Sequence, residues 1–472
     1  MYFGNAKQFQ LYDSILLSKK KYQIEKMVLE AANALFKHVP NHKKVLIFCG
    51  KGNNGADGLA LASLIKRNVV IYYVDELDNA SVANKYYLKQ IQDMNIPIYY
   101  SLDHLMRDLN QCEVIVDAIF GTGFNGQLSF KYENIISLIN ENSSNKFVIS
   151  VDIPSGMLCD NGVIKSVAIK ANKTITFLAS KIGFLNPDIQ HYLGEVIIEK
   201  ILYHQDVFEE VLFSKLINDS DLNINKRLYD GYKGTYGKLC CNVGSTQYPG
   251  AAILSVGAAL NTGCGFVSYV GDHEIKKYLI PLYPEVVYQD NYDKADAILF
   301  GCGKGWNTKT AQELKGIISS SQVPLLIDAD GINCLSENLD ILYNKKSPII
   351  VTSHIKEMER LQVGDSVLSA IEFARKYDVI VVLKGSTTMI TDGKKCFRIA
   401  LGDRAMAVAG MGDCLSGIIA SLLAQKYDPI DACVLGVAVH GLSGRCIAND
   451  NYTVLPSRLI HQIPKVMKKM SR

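Results

Sequence analysis

The chain has 472 residues, of which 48% are hydrophobic and 21% charged, a balance that suits compact globular proteins and excludes a mainly disordered one. Its 50 Lys and Arg against 47 Asp and Glu leave a net charge of +3 spread along the chain, so neither nucleic acid nor a membrane is an expected partner. At this length two or more cores are expected rather than one.

The start, Met1 to Asn5, lacks the basic-then-apolar order of a signal peptide. No apolar run reaches the roughly 20 residues of a membrane span. A cytoplasmic protein is therefore expected. The 12 cysteines contain no C-x-x-C and read as buried thiols rather than a disulfide frame. The nine histidines show no zinc spacing, so no transition-metal site is expected.

In chain order, Lys44 to Cys49 reads as a buried strand leading into Gly50-Lys51-Gly52-Asn53-Asn54-Gly55-Ala56-Asp57-Gly58, with a helix to Leu64. Further strands are predicted at Val69 to Val74, Val114 to Phe120, Phe147 to Ile153, near Ile175 and at Val196 to Ile198. The polar run Asn218 to Asn223 reads as a linker. Strands resume at Lys238 to Cys240, Ala297 to Phe300, Pro324 to Ile327, Ile349 to Thr352 and Val379 to Leu383. Asp392-Gly393 predicts a hairpin turn, and two helices, Asp413 to Gln425 and Asp431 to Ile447, are expected to end the chain before a Lys-rich solvated helix end at Lys465 to Lys469. Strands alternating with Gly-rich turns and helices predict an α/β protein with parallel sheets.

Parallel sheets bind ligands beyond the carboxyl ends of their strands. Three polar loops of the first half fall there: Asn53 to Gly58, Asp117 to Gly126, and Val151-Asp152-Ile153-Pro154-Ser155-Gly156. Each alone also suits a helix cap or an ordinary turn. Asp117 and Asp152 brought together would raise each other's proton affinity unless a cation or hydrogen bonds offset the repulsion, and a hard cation with oxygen ligands needs no Cys or His.

The ordered motifs G-x-G-N-N-G-A-D-G, V-D-A-I-F-G-T-G-F and V-D-I-P-S-G resemble the NAD(P)H-hydrate epimerase family over roughly residues 1–205. The resemblance implies that Asn53, Asn54, Gly55, Ala56 and Asp57 hold the dinucleotide together with Gly121, Thr122, Gly123, Phe124, Asn125, Gly126 and Gln127. It implies a potassium ion on Asn54, Asp117 and Ser155, and Asp152 as the substrate-contacting acid/base. Ala56 stands where the family usually has Gly, so its methyl group is expected to narrow the phosphate approach without abolishing binding.

In the second half, Gly410-Met411-Gly412-Asp413 opens an apolar helix, whose free amides and dipole suit a phosphate and whose Asp413 can take a proton from a hydroxyl. An N-cap Asp in a Gly turn is the plainer reading. Lys384-Gly385-Ser386-Thr387-Thr388 follows a strand and suits nucleotide phosphates or an exposed turn. No G-x-x-x-x-G-K-[ST] is present, which excludes a P-loop enzyme.

These features, with Tyr232 to Lys238, Tyr248 to Ala252, Asp328 to Gly331 and His354-x-x-Glu357, resemble the ribokinase-like superfamily. Within it they resemble the ADP- or ATP-dependent NAD(P)H-hydrate dehydratases, over roughly 225–472. The resemblance implies Ala251, Gly303 and His354 at the hydrated cofactor, and Lys384, Gly385, Ser386, Thr387, Thr388 and Gly412 at the adenine nucleotide. Asp413 is implied at the substrate hydroxyl. Met411, Ser353, Ile355-Lys356, Cys302 and Ser457 depart from the family's usual residues without removing Asp413.

Together the resemblances imply a Rossmann-like three-layer α/β/α domain over 1–210 and a ribokinase-like α/β domain over 211–472. The implied enzyme epimerises hydrated NADH and NADPH and dehydrates one epimer, with ADP as phosphoryl donor, Mg²⁺ beside it, and a homo-oligomeric state. ADP and ATP are not separated by the local residues. The alternative reading is a small-molecule kinase fused to a dinucleotide sensor.

Overall fold

The computed structural model describes residues 1–361 and 367–471, and the chain divides into two compact units, Met1–Phe213 and Ser214–Arg472.

In the first unit a 7-stranded parallel sheet runs in the order Ile98–Tyr99, Val69–Tyr73, Val45–Cys49, Val114–Ala118, Phe147–Val151, Lys173–Phe177, Glu195–Glu199. Alternation along Val45–Cys49 sends Val45, Ile47 and Cys49 to one face and Leu46 and Phe48 to the other. The helices Ile24–Phe36 and Asn53–Ile65 pack on the first face, and Leu105–Gln111 and Phe130–Glu141 on the second. Both faces are thus buried, which is why these strands read as continuous apolar runs. Strand order reverses between Val45–Cys49 and Val114–Ala118, opening a crevice at their carboxyl ends. A short parallel pair, Tyr2–Gly4 with Ser180–Lys181, lies outside this sheet, and the helix Ala6–Ser18 follows it.

In the second unit a parallel run takes the order Val287–Tyr288, Phe266–Tyr269, Lys238–Asn242, Ala297–Phe300, Leu325–Asp328, Ile349–His354, Ile380–Lys384. It continues into the antiparallel strands Thr388–Thr391 and Cys396–Ile399, joined at the expected Asp392-Gly393 turn, where Gly393 has φ +79°. Ser214–Ile217 pairs parallel with Cys396–Ile399. The polar run expected as a linker therefore lies inside this unit. Asn218 and Asp221 close a capped turn after the strand, and Leu222 and Ile224 are buried.

Two further expectations are corrected. A third terminal helix, Pro456–Met470, follows the two foreseen; Pro464 inside it masks an apolar stripe of Leu459, Ile460, Ile463 and Val466. The Lys-rich end does face solvent. Contrary to the expectation of no such run, the helix Pro429–Ala448 is long and apolar enough to cross a membrane by length and composition. Most of it is buried in the core of the second unit.

Candidate active sites

The three loops of the first unit meet. A cavity of about 610 Å³ opens at the switch point, lined by Asn53, Asn54, Asp57, Thr122, Asp152 and neighbours that include Gly121, Gly123, Phe124 and Asn125. Asp152 follows the strand Phe147–Val151 in the left-handed region, φ +65°, where a residue with a Cβ is strained. Its surroundings hold it there. Asp152 Oδ1 lies 2.5 Å from Lys181 Nζ and accepts from Thr176 Oγ1 at 3.3 Å, while Oδ2 accepts from the Thr122 amide at 3.1 Å and from the Thr122 hydroxyl. Burial pushes the Asp152 carboxyl up, but Lys181 and the Thr122 donors outweigh it and hold it below the usual carboxylate range.

Asp117 is fully buried and does not itself line the cavity. Its oxygens accept from Ser155 Oγ at 2.5 Å, the Ser155 amide at 2.9 Å, Ser150 Oγ at 2.9 Å and the Ile119 amide at 3.3 Å. Burial nevertheless leaves its carboxyl above the ordinary range. Ser155 Oγ also accepts from the Phe120 amide at 2.9 Å, and a Cβ added at the next residue, Gly121, would stand 3.1 Å from the Asn54 amide carbon. Asn54, Asp117 and Ser155 thus gather around the Phe120-Gly121 turn. Among the described residues the buried Asn54 Nδ2 has no hydrogen-bond partner.

Four of the residues implied to hold the dinucleotide do not line the cavity: Gly55, Ala56, Gly126 and Gln127. Gly55 is packed against Gly50, where a Cβ would meet the Gly50 carbonyl oxygen at 1.8 Å. Ala56 sits in the hydrophobic core, so its methyl group cannot narrow a phosphate approach. Sequence reasoning missed Lys181 and Asp13, which line the same cavity. Neither belongs to a Gly-rich loop, so no local motif marks them.

In the second unit, Lys384 ends its strand in register with His354. Lys384 Nζ is 2.8 Å from Asp328 Oδ1 and 3.8 Å from Glu357 Oε2. Burial presses Lys384 toward neutrality, but Asp328 and Glu357 hold its pKa above the ordinary value. Ser416 Oγ donates to Asp328 Oδ2 at 2.6 Å. Gly410, with φ +93°, caps the helix Met411–Ala424, and a Cβ at Gly412 would come 3.7 Å from Lys384 Nζ. Asp413, in the first turn, is pushed up to about 7, chiefly by burial and then by Asp328, with Lys384 opposing. Lys384, Gly412 and Asp413 therefore lie close together.

Gly303, at φ +64°, approaches Ala251 so closely that a Cβ would fall 2.7 Å from the Ala251 methyl carbon. His354 is half exposed and caps the helix Ile355–Arg360: its Nδ1 accepts from the Glu357 amide at 3.3 Å. Gly385 and Ser386 are exposed, and Thr387 Oγ1 accepts from Arg398 at 3.2 Å. Asp328 and Glu357, which position Lys384, and Ser416, which donates to Asp328, carry no role implied by the sequence.

A parallel α/β unit with a carboxylate-lined crevice, followed by a mixed-sheet unit presenting Lys384 and Asp413 at a Gly-capped helix start, defines a two-site enzyme acting on phosphate-bearing substrates. Residues 23–183 match the family described as YjeF-related protein N-terminus, and residues 239–465 match the family described as NAD(P)H-hydrate dehydratase. The bifunctional NAD(P)H-hydrate repair enzyme of Coxiella burnetii is 30% identical, with 90% of each chain covered. That of Thermofilum pendens is also 30% identical, covering 90% of this chain and 87% of the relative. A solved ribokinase-like superfamily protein from Enterococcus faecalis is 28% identical with a TM-score of 0.52, covering 58% of this chain and 99% of its own. The chain belongs to the family of bifunctional NAD(P)H-hydrate repair enzymes, with an epimerase half and a dehydratase half.

Proposed function

We propose that the first cavity interconverts the R and S forms of hydrated NADH and NADPH, and that the second site converts the S form to the reduced dinucleotide while ADP becomes AMP and phosphate. The observation that carries this reading is the placement of an aspartate at each site beside groups suited to phosphates: Asp152 on the Thr122 amide of the Gly121 to Asn125 loop, Asp413 beside Lys384 and Gly412.

Asp152 is ionised and anchored, which suits a base that removes and returns the proton of the ring hydroxyl. Thr122 and Lys181 fix its oxygens. Asn54, Asp117 and Ser155 would hold a potassium ion. The burial of Asp117 supports that fit, since a cation would offset the cost of an ionised carboxylate there. A potassium ion held there would supply positive charge beside the Phe120-Gly121 turn.

At the second site Asp413 takes the proton of the ring hydroxyl; with its pKa raised to about 7 it is a competent base near neutral pH. Lys384, held by Asp328 and Glu357, faces the nucleotide phosphates, and the Gly412 backbone lets them approach. ADP with Mg²⁺ supplies the phosphoryl group, which turns a poor leaving group into a good one.

The test is to incubate the protein with mixed hydrate epimers and ADP and follow absorbance recovery at the reduced-nicotinamide band. Asp413→Ala should abolish nucleotide-dependent repair and leave epimerisation intact. Asp152→Ala should leave one epimer unrepaired beyond its slow spontaneous inversion. Full repair by either variant overturns the corresponding role.

A further inference from the structure

We propose that Asp13 is a second catalytic residue of the epimerase cavity, the acid that works opposite Asp152. This rests on the epimerase reading of that cavity and deepens it. The helix Ala6–Ser18 lies outside the Gly-rich loops, yet it contributes Phe9, Tyr12 and Asp13 to the cavity wall. Phe9 and Asp13 are one turn apart on one helix face. The Phe9 ring lies 3.7 Å from Lys181 Nζ, which places this face against the Lys181–Asp152 pair. Asp13 is ringed by protein while its side chain stays open to the cavity space. It makes no hydrogen bond or ion pair among the described residues, whereas Asp152 accepts at both oxygens. A carboxyl that is unpaired and exposed to the ligand space is free to move a proton.

The charged groups around it set its protonation. Asp152 faces it from the end of the strand Phe147–Val151, Lys181 from the strand Ser180–Lys181, and Asp57 from the helix Asn53–Ile65. Tyr12 adjoins it on its own helix. Burial and then the Asp152 charge push Asp13 up to about 6, with Lys181 opposing. The two carboxyls are therefore driven apart, one ionised and the other with protonated form within reach, which is how paired carboxyls divide base and acid roles.

The hydrated ring carbon bears a hydroxyl and is bonded to the ring nitrogen. In the ring-opening route Asp152 takes the hydroxyl proton, the carbonyl forms, and the carbon–nitrogen bond breaks as Asp13 gives its proton to the nitrogen. After the aldehyde rotates, the nitrogen attacks its other face, Asp13 recovers its proton and Asp152 returns the other to oxygen. Both residues end as they began, and nothing is oxidised or reduced.

The test uses the full chain and the isosteric Asp13→Asn, with interconversion of purified R and S hydrates followed by chromatography and ADP-dependent repair of the S form as the control for intact folding. The variant should lose about 10²–10⁴-fold in epimerisation kcat with little change in KM and no change in S-form repair. The wild-type rate should fall as pH rises above about 6, and the variant should lack that limb. Asp13→Glu should recover part of the rate. An unchanged kcat and pH profile in Asp13→Asn, with Asp152→Asn inactive, overturns the role of Asp13 alone. Full epimerisation by Asp152→Asn as well overturns the reading of the cavity itself.

Discussion

Lys181 Nζ stands 2.5 Å from Asp152 Oδ1, with the Lys181 side chain 1% exposed, so Asp152 is one half of a buried ion pair. Removing one partner of such a pair strands the other charge in a poor solvent and costs about 3–5 kcal/mol. Lys181→Met should therefore lower the urea midpoint and slow epimerisation, because burial alone then raises the proton affinity of Asp152. Adding Asp152→Asn to that variant should restore much of the stability and none of the activity. Additive losses in the double variant would show that the two side chains are not coupled.

Asp413 titrates in the opposite sense to a paired carboxylate. Its folded pKa is about 7 against an ordinary 3.8, so the folded state binds the proton more tightly than the unfolded state. Stability attributable to this group is fully present below about 4 and is lost as pH rises toward 7 and beyond. Asp413→Asn should accordingly melt higher than the wild type at pH 8, with the difference vanishing near pH 4. Repair of the S epimer by the wild type should rise through pH 7 as Asp413 ionises. A melting difference independent of pH would remove the buried-carboxylate account.

The sheets were legible because both their faces are covered: runs such as Val45 to Cys49 and Ile349 to Thr352 carry no polar interruption to blur them. Site loops were legible where glycine, Asn and Asp cluster at strand ends, as at Asn53 to Asp57 and Gly410 to Asp413. Lys181 and Asp13 were not, since each sits in an ordinary-looking segment and gains its meaning from a partner far along the chain. The terminal helix Pro456–Met470 hid behind Pro464, whose local signal is that of a helix breaker. The Asn218 to Asn223 run misled for the converse reason, since its polarity serves a local capped turn.

Asp117 offers a test of the potassium site that does not depend on turnover. A ligand bound only by the folded state at one hundred times its dissociation constant adds about 2.7 kcal/mol. The melting temperature of the wild type should rise in potassium chloride relative to sodium chloride at equal ionic strength. Asp117→Asn should melt lower, because Ser150, Ser155 and the Ile119 amide lose their common acceptor, and should show no potassium-specific rise. Equal responses to the two salts in the wild type would leave Asp117 as a purely structural hub.

Ala56 separates a packing role from a binding role. Its methyl group is buried in the core on the helix Asn53–Ile65 and does not line the cavity, so Ala56→Gly should not improve access for the dinucleotide phosphates. The change instead trades the best helix former for a poor one at a cost of about 1 kcal/mol, before the lost methyl contacts are counted. The expected result is a lower melting temperature with an unchanged KM for the hydrated dinucleotide. A fall in KM would mean that the methyl group reaches the ligand after all, and that the first turn of this helix rearranges when the dinucleotide binds.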